Sequence, residues 1–441
     1  MFINKFFLFI EAFTVLIFST SVFADTLFIK NGDRITGEIT KVEVETEYSL
    51  VAVSAERIST VILSNEDKNQ DTLIMKNEDK ISGFIYKFYI ETDYGIVEIP
   101  KETVKMVSFS VRPPFIMGWE FPAKGPINSS PVVEIEKNRV YVGSQDCLYA
   151  VDSSNGELIW KFQTKGKIYS TPTLYRDFMY VTTEEGYIYV INTKDGKVKW
   201  SYLLEDSVYS SPAVNEGLLY VGCSDGKIYA FDAQSGKLKW SYKTGGWIDA
   251  APGISNNTLV IGSGDYQIYA LNAQNGKLKW KYATKGNISS SPLVTDNTVY
   301  VGSWDHFLYA LDVKNGKLKW KFQAGGPFSS SPVRKGEIIY AGSWDHFLYA
   351  LDVKTGKAKW RFDTGAPVDT APLITGNIVY VCSSNGKVYA LEKDTGDERW
   401  NNTFEKRIKC TPAEGKGFLY ITCYDGSLYA LESTISVRIE K

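Results

Sequence analysis

The chain has 441 residues, of which 44% are hydrophobic and 14% aromatic, with 36 glycines. That length exceeds one ordinary compact core, so it implies several domains or a repeat architecture. A formal charge of -2 gives no electrostatic reason to expect nucleic acid or an anionic membrane surface as partner.

Residues 1–24 read as a secretory signal. Lys5 lies near the start, Ala12 to Phe18 is apolar, and Val22 and Ala24 hold the small-residue positions before Asp25. Cleavage is expected after Ala24, although Glu11 shortens the apolar run and makes an uncleaved anchor the competing reading. No later segment approaches the roughly 18–20 apolar residues of a membrane span. The mature chain is therefore expected to be exported, to the periplasm or beyond, and soluble. The first cysteine after the signal is Cys147, so no cysteine at the cleavage site is available to carry a lipid.

Asp25 to Ile39 (DTLFIKNGDRITGEI) recurs as Asp71 to Ile85 (DTLIMKNEDKISGFI), which implies two small β units, 25–64 and 71–110. Asn31-Gly32 is a hairpin signal between alternating strands. The layout is similar to Sm-like or SH3-like small barrels. Sm-like barrels often bind RNA, but the export signal and an acidic excess here point to an interaction or spacer module. Residues 111–118 read as a linker, with Pro113-Pro114 favouring an extended chain.

From residue 119 to 432 one pattern governs the chain. Trp recurs every 40 residues from Trp160 to Trp400, with an extra copy at Trp119. A Pro after a small residue (Pro131, Pro172 and onward to Pro412) and a Tyr (Tyr149, Tyr189 and onward to Tyr429) keep the same register. Within each unit the apolar period is two, as in Thr298 to Ser303 and Leu308 to Asp312, which gives four short strands. The third and fourth strands are joined by pairs such as Asn315-Gly316 and Thr355-Gly356, where Gly takes a positive φ without steric cost. Four-stranded units at this period predict an all-β fold, an eight-bladed β-propeller. Lys317, Lys319 and Lys321 on an outer strand read as edge protection, and each Trp as a ring buried between neighbouring blades. The last copy lacks its own Gly turn and Trp, so the strand around Gly118 to Phe121 is expected to complete the last blade. Residues 433–441 form a tail.

The segments Ala310 to Trp320 (ALDVKNGKLKW) and Ala350 to Trp360 (ALDVKTGKAKW) resemble the repeat of the pyrroloquinoline-quinone-type propellers. That group includes quinoprotein alcohol dehydrogenases and the BamB lipoproteins of outer-membrane assembly. The dehydrogenase side of the resemblance implies a stacked quinone, Ca²⁺ held by carboxylates, a catalytic Asp and a disulfide between neighbouring cysteines. No adjacent cysteine pair occurs, and the near-minimal units leave few insertions to build a deep pocket. The expectation is a non-catalytic exported binding scaffold, monomeric, without cofactor, metal or catalytic residue; the alternative is a quinone- and Ca-dependent dehydrogenase.

His306 and His346, the only histidines, sit in consecutive near-identical repeats and read as duplicated turn residues, not a metal pair. Asp225, Asp265, Asp305, Asp345 and Asp425 occupy the equivalent turn and are expected to cap it. The best partner-binding candidates are Trp247, Tyr266, Trp304, Phe328 and Trp344, with His306 and His346 beside them. They gather in middle repeats on one predicted face, where other repeats carry Gly, Ser, Asn or Lys. The partner implied is a protein or peptide, or else a glycan. Five cysteines leave at least one unpaired; Cys410 and Cys423 are the disulfide candidate, while Cys147, Cys223 and Cys382 read as small buried residues.

Overall fold

The computed structural model describes the backbone of the strands between residues 25 and 108 and of residues 115–433, with side chains from 117 to 431. The expected export signal and the tail beyond residue 433 lie outside the described residues. The chain divides into two units, 1–113 and 114–441.

In the first unit the duplicated motif forms β1 (Asp25–Ile29), β2 (Arg34–Glu45), β3 (Leu50–Ser54) and β4 (Ile58–Ile62). Its second copy forms β5 (Asp71–Met75), β6 (Lys80–Thr92), β7 (Gly95–Pro100) and β8 (Val104–Ser108). The two copies pair with one another. β2 lies against β6, β4 against β5, and β1 against β8, in one eight-stranded sheet. Each copy thus lends its last strand to the first strand of the other, which covers edges a single copy would leave open.

In the second unit the period-two pattern builds eight antiparallel four-stranded sheets, the blades of a β-propeller. Blade 1 spans residues 132–163, and the next six follow at 173–203, 213–243, 253–283, 293–323, 333–363 and 373–403. Blade 8 comprises strands within residues 413–433 and a fourth strand from the other end of the chain, Phe115–Pro122. Ala430 lies opposite Trp119 and Tyr429 opposite Glu120, so the expected clasp joins the two ends in one sheet. The strand begins at Phe115, inside the stretch read as linker, because its pairing runs on past Trp119 to Ser433. The bulge next to the Trp-facing residue, an alanine in every blade but the second, where it is Val190, recurs in blade 8 between Ala430 and Leu431.

One seam recurs around the ring. Trp280 donates its Nε1–H to the Val313 carbonyl of the next blade at 2.9 Å, and Trp320 does the same to Val353. Trp119 closes the ring by donating to Ser153 of blade 1. The ring also covers the hairpin glycine of the next blade: a Cβ on Gly316 would lie 2.7 Å from the Trp280 indole. That glycine has φ +71°, so both its conformation and its contact exclude a side chain. In blades 2, 3, 6 and 8 a buried tyrosine beside the indole (Tyr180, Tyr220, Tyr340 and Tyr420) donates its hydroxyl to the same neighbouring carbonyl. Tyr141 of blade 1 instead donates to Glu134, and blade 4 has Val260 at that position. At the innermost strands, hydroxyls link successive blades: Thr171 N–H donates to Ser211 Oγ, Ser291 N–H to Ser331 Oγ, and Thr411 N–H to Ser130 Oγ.

Candidate functional site

One face of the propeller is built from two recurring pieces: the loop that leads into each blade and the turn between its second and third strands. The backbone staples them together. Trp304 N–H donates to the Asn287 carbonyl at 2.9 Å and Trp344 N–H to Pro327 at 3.0 Å. The turn then accepts from the next lead-in loop, as in Ala324 N–H to the His306 carbonyl. Within each turn the aspartate holds the frame, as its sequence position implied. Asp305 Oδ1 accepts from Phe307 N–H, while Oδ2 accepts from Tyr309 Oη at 2.7 Å and Lys285 N–H at 2.8 Å. Asp265 and Asp345 repeat the arrangement. Burial, reinforced by the neighbouring carboxylate, pushes the Tyr309 phenol far above its ordinary pKa, so it remains a donor.

On this common frame blades 4, 5 and 6 differ from the rest. The last turn position has a positive φ in every one of these blades: Tyr266 at +69°, His306 at +72° and His346 at +79°. Blades 2, 3, 7 and 8 place Gly186, Gly226, Gly386 and Gly426 there, the residue this conformation favours. A side chain in that region costs on the order of 1–3 kcal/mol, so three consecutive blades carry at this turn position a strain that blades 2, 3, 7 and 8 avoid with glycine. Tyr266 is 48% exposed.

Trp304 and Trp344 stand in adjacent blades with ring centroids 5.2 Å apart and planes at 52°. Their indole N–H groups are tied down, Trp304 to Ser289 Oγ at 2.8 Å and Trp344 to Ser329 Oγ at 2.7 Å. The rings keep 39% and 40% of their surface exposed, so what they present to solvent is oriented and apolar. In blade 4 the indole comes from the loop instead. Trp247, half-buried, covers Gly264, whose added Cβ would lie 2.5 Å from the ring.

Phe328 does not belong to this surface. It is fully buried, packed against Phe322 and Tyr349 in the seam between blades 5 and 6. Its place in the repeat explains this, because Ile168, Val208, Ile248, Ile288, Val368 and Ile408 occupy the same position and are all buried. The proposed disulfide is also corrected: all five cysteines are free and buried. Cys410 Sγ contacts Thr422 N and O at 3.3 Å, whereas Cys423 Sγ approaches the Lys406 and Arg407 carbonyls. Successive residues of a strand face opposite ways, so the neighbour of Thr422 points away from Cys410. Cys147, Cys223 and Cys382 are the small buried residues expected, and burial pushes the Cys223 thiol up to about 12.

Two features of this face escaped the sequence reading. Tyr424, 46% exposed, holds in blade 8 the turn position of Trp304 and Trp344, and the 40-residue period alone would have found it. Tyr169 and Tyr209 form a second aromatic pair in the loops leading into blades 2 and 3, at 5.6 Å, with Tyr209 Oη donating to Glu184.

The fit of a quinone with calcium can be judged from the donors present. Among the described residues no three His, Cys, Asp or Glu side chains converge into a cation site. The turn carboxylates Asp265, Asp305 and Asp345 are already engaged in their own frames, and no two cysteines are adjacent in sequence. The residues do not match that cofactor pair. Among the described residues no helix is long and apolar enough to cross a membrane.

Solved structures carry the same ring. The computationally designed protein Ika8 superposes with a TM-score of 0.66 at 15% identity, covering 72% of this chain and 99% of its own. BamB from Moraxella catarrhalis gives 0.62 at 18%, covering 72% and 97%. The quinohemoprotein alcohol dehydrogenase from Comamonas testosteroni gives 0.64 at 15%, covering 74% and 78%. At these identities the likeness is one of fold, which does not carry function with it. The comparison with curated proteins finds no match. The family model described as outer membrane protein assembly factor BamB matches residues 117–246, 244–367 and 345–438. With that match running through every blade, the chain belongs to the BamB-type family of repeat propellers.

Proposed function

We propose that this chain is a non-catalytic binding scaffold, exported and soluble, which docks an extended segment of another protein on the face of blades 4 to 6. The docking surface is Trp247, Tyr266, Trp304, His306, Trp344 and His346. The observation that carries this reading is the Trp304–Trp344 pair: two oriented, part-exposed indoles 5.2 Å apart, on a frame that other blades build with Ser224 and Ser384 instead. Large aromatic surface of low conformational entropy is what recurs at interface hot spots. The family description as an outer membrane assembly factor favours envelope protein assembly as the setting.

The test is the double variant Trp304→Gly/Trp344→Ser in the full chain. It should fold with a nearly unchanged melting temperature and lose binding to reduced, carboxymethylated α-lactalbumin, used as an extended polypeptide. Unchanged binding, or a large loss of stability, would make these rings structural.

A further inference from the structure

We propose that the depression beside Trp344, on the side of blades 7 and 8, is a subsite for a neutral saccharide. This reading goes beyond polypeptide docking and does not depend on it. The depression has a volume of about 370 Å³ and is lined by Trp344, Pro367, Asp369, Ser384, Asn385 and Arg407. That is within the ~300–1,000 Å³ typical of small-molecule sites.

The repeat explains why it opens here. In blades 5 and 6 the turn residue donates to the loop residue 15 positions earlier, Trp304 to Ser289 and Trp344 to Ser329. Blade 7 keeps that contact with other residues: Ser384 Oγ to Asp369 Oδ2 at 3.0 Å, also 15 positions apart. A serine thus stands where two blades carry an indole. The missing ring leaves space beside Trp344, with a carboxylate where blades 5 and 6 have a hydroxyl.

Most polar groups of the depression are already engaged. Asn385 accepts from Lys387 N–H and donates to the Thr364 carbonyl. Ser384 Oγ serves Asp369 and the Pro367 carbonyl, and the Trp344 N–H is held by Ser329. Two groups stand apart. Asp369 Oδ1 is buried and has no hydrogen-bond partner. Among the described residues the Arg407 guanidinium has no ion-pair or hydrogen-bond partner. A buried polar atom without a partner is destabilising, so the site favours an occupant that supplies the missing donor.

That occupant must donate to Asp369, accept from Arg407 and offer an apolar flat to the indole. A charged ligand of either sign meets one like charge. A pyranose satisfies all three demands, because each hydroxyl both donates and accepts and the C–H face of the ring is apolar.

The probes are maltotriose and chitotriose, titrated onto the full chain by saturation-transfer NMR. Saturable binding of at least one is expected, weakened at least tenfold by Asp369→Ala and by Arg407→Ala and unchanged by Tyr424→Ser. Arg407→Ala removes a side chain with no internal partner, so it remains informative if Asp369→Ala fails to fold. No saturable binding of either sugar overturns the proposal, as does binding indifferent to both substitutions. Loss of carboxymethylated α-lactalbumin binding in Asp369→Ala and Arg407→Ala also overturns it, by giving the depression to polypeptide. Tyr266→Gly should weaken the polypeptide and leave the sugar, which separates a failure of one reading from a failure of the other.

Discussion

Blades 3 and 5 are two solutions to one folding problem. Both cap the turn with an aspartate, Asp225 and Asp305, that accepts from its own turn and from the tyrosine four residues on. Both bury a tyrosine between neighbours, Tyr220 and Tyr300. On the face they part: blade 3 has Ser224 and Gly226 where blade 5 has Trp304 and His306. Since blade 3 closes its turn and its seam without those side chains, folding does not account for them. The fold constrains the seam, and the face is free to specialise.

That separation can be broken at its strongest point first. Deleting Phe115 to Pro122 removes the fourth strand of blade 8 and should lower the melting temperature of the whole propeller more than any single substitution. Trp119→Ala alone should cost roughly 3–5 kcal/mol, the usual loss for a buried large aromatic. Thermal unfolding followed by circular dichroism reads both, and an unchanged transition would mean the ring does not depend on its clasp. Next, Phe328→Ala should cost roughly 3–5 kcal/mol, whereas Trp344→Ser should cost less than about 1 kcal/mol. Equal losses would erase the distinction between seam and face.

The turn glycines sharpen the comparison further. A Cβ on Gly226 would lie 2.7 Å from the Gly246 carbonyl oxygen at a φ of +79°. Gly226→Ala should therefore destabilise by about 1–3 kcal/mol. His306→Gly relieves the strain of a side chain at φ +72° and should be neutral or stabilising, by up to about 1 kcal/mol. Denaturant unfolding compares the two, and a loss on His306→Gly would mean the histidine serves the fold.

The smallest effect concerns the hairpins on the opposite face. Backbone and hydroxyl donors of Ser235, helped by Lys239, hold the Asp232 carboxyl at about 2. A carboxyl depressed below its unfolded value stabilises the fold above that value, and the contribution fades as pH falls from about 4 towards 2. Because Asp232 lies at the surface, solvent screening keeps this well under 1 kcal/mol. Asp232→Asn should therefore flatten the pH dependence of stability between about 4 and 2 only slightly. A large change would point to a buried role.

The ring, the eight blades and the clasp were legible in the sequence because one register repeats through them and the leftover Trp119 had only the last blade to complete. The face was legible in part. Trp304 and Trp344 stood out against Ser and Gly in other copies, and the structure brings them together. Phe328 misled because an aromatic in a loop was weighed as a surface residue, although every copy has an apolar side chain at that position. Cys410 and Cys423 misled because pairing strands fixes which residues are near, while alternation of faces decides which ones meet. The niche at Asp369 was not legible at all, since it arises from a side chain that blade 7 lacks. The exchange of strands between the duplicated N-terminal copies was equally hidden, because either pairing satisfies the same alternation.

The claim that the face of blades 4 to 6 receives a partner is tested most directly by oxidative footprinting of the full chain, alone and with carboxymethylated α-lactalbumin. Labelling of Trp304, Trp344 and Tyr266 should fall at least severalfold on binding, while Tyr175, at the first-to-second strand turn, stays unchanged. Protection of Tyr175 with Trp304 and Trp344 still labelled would contradict the account.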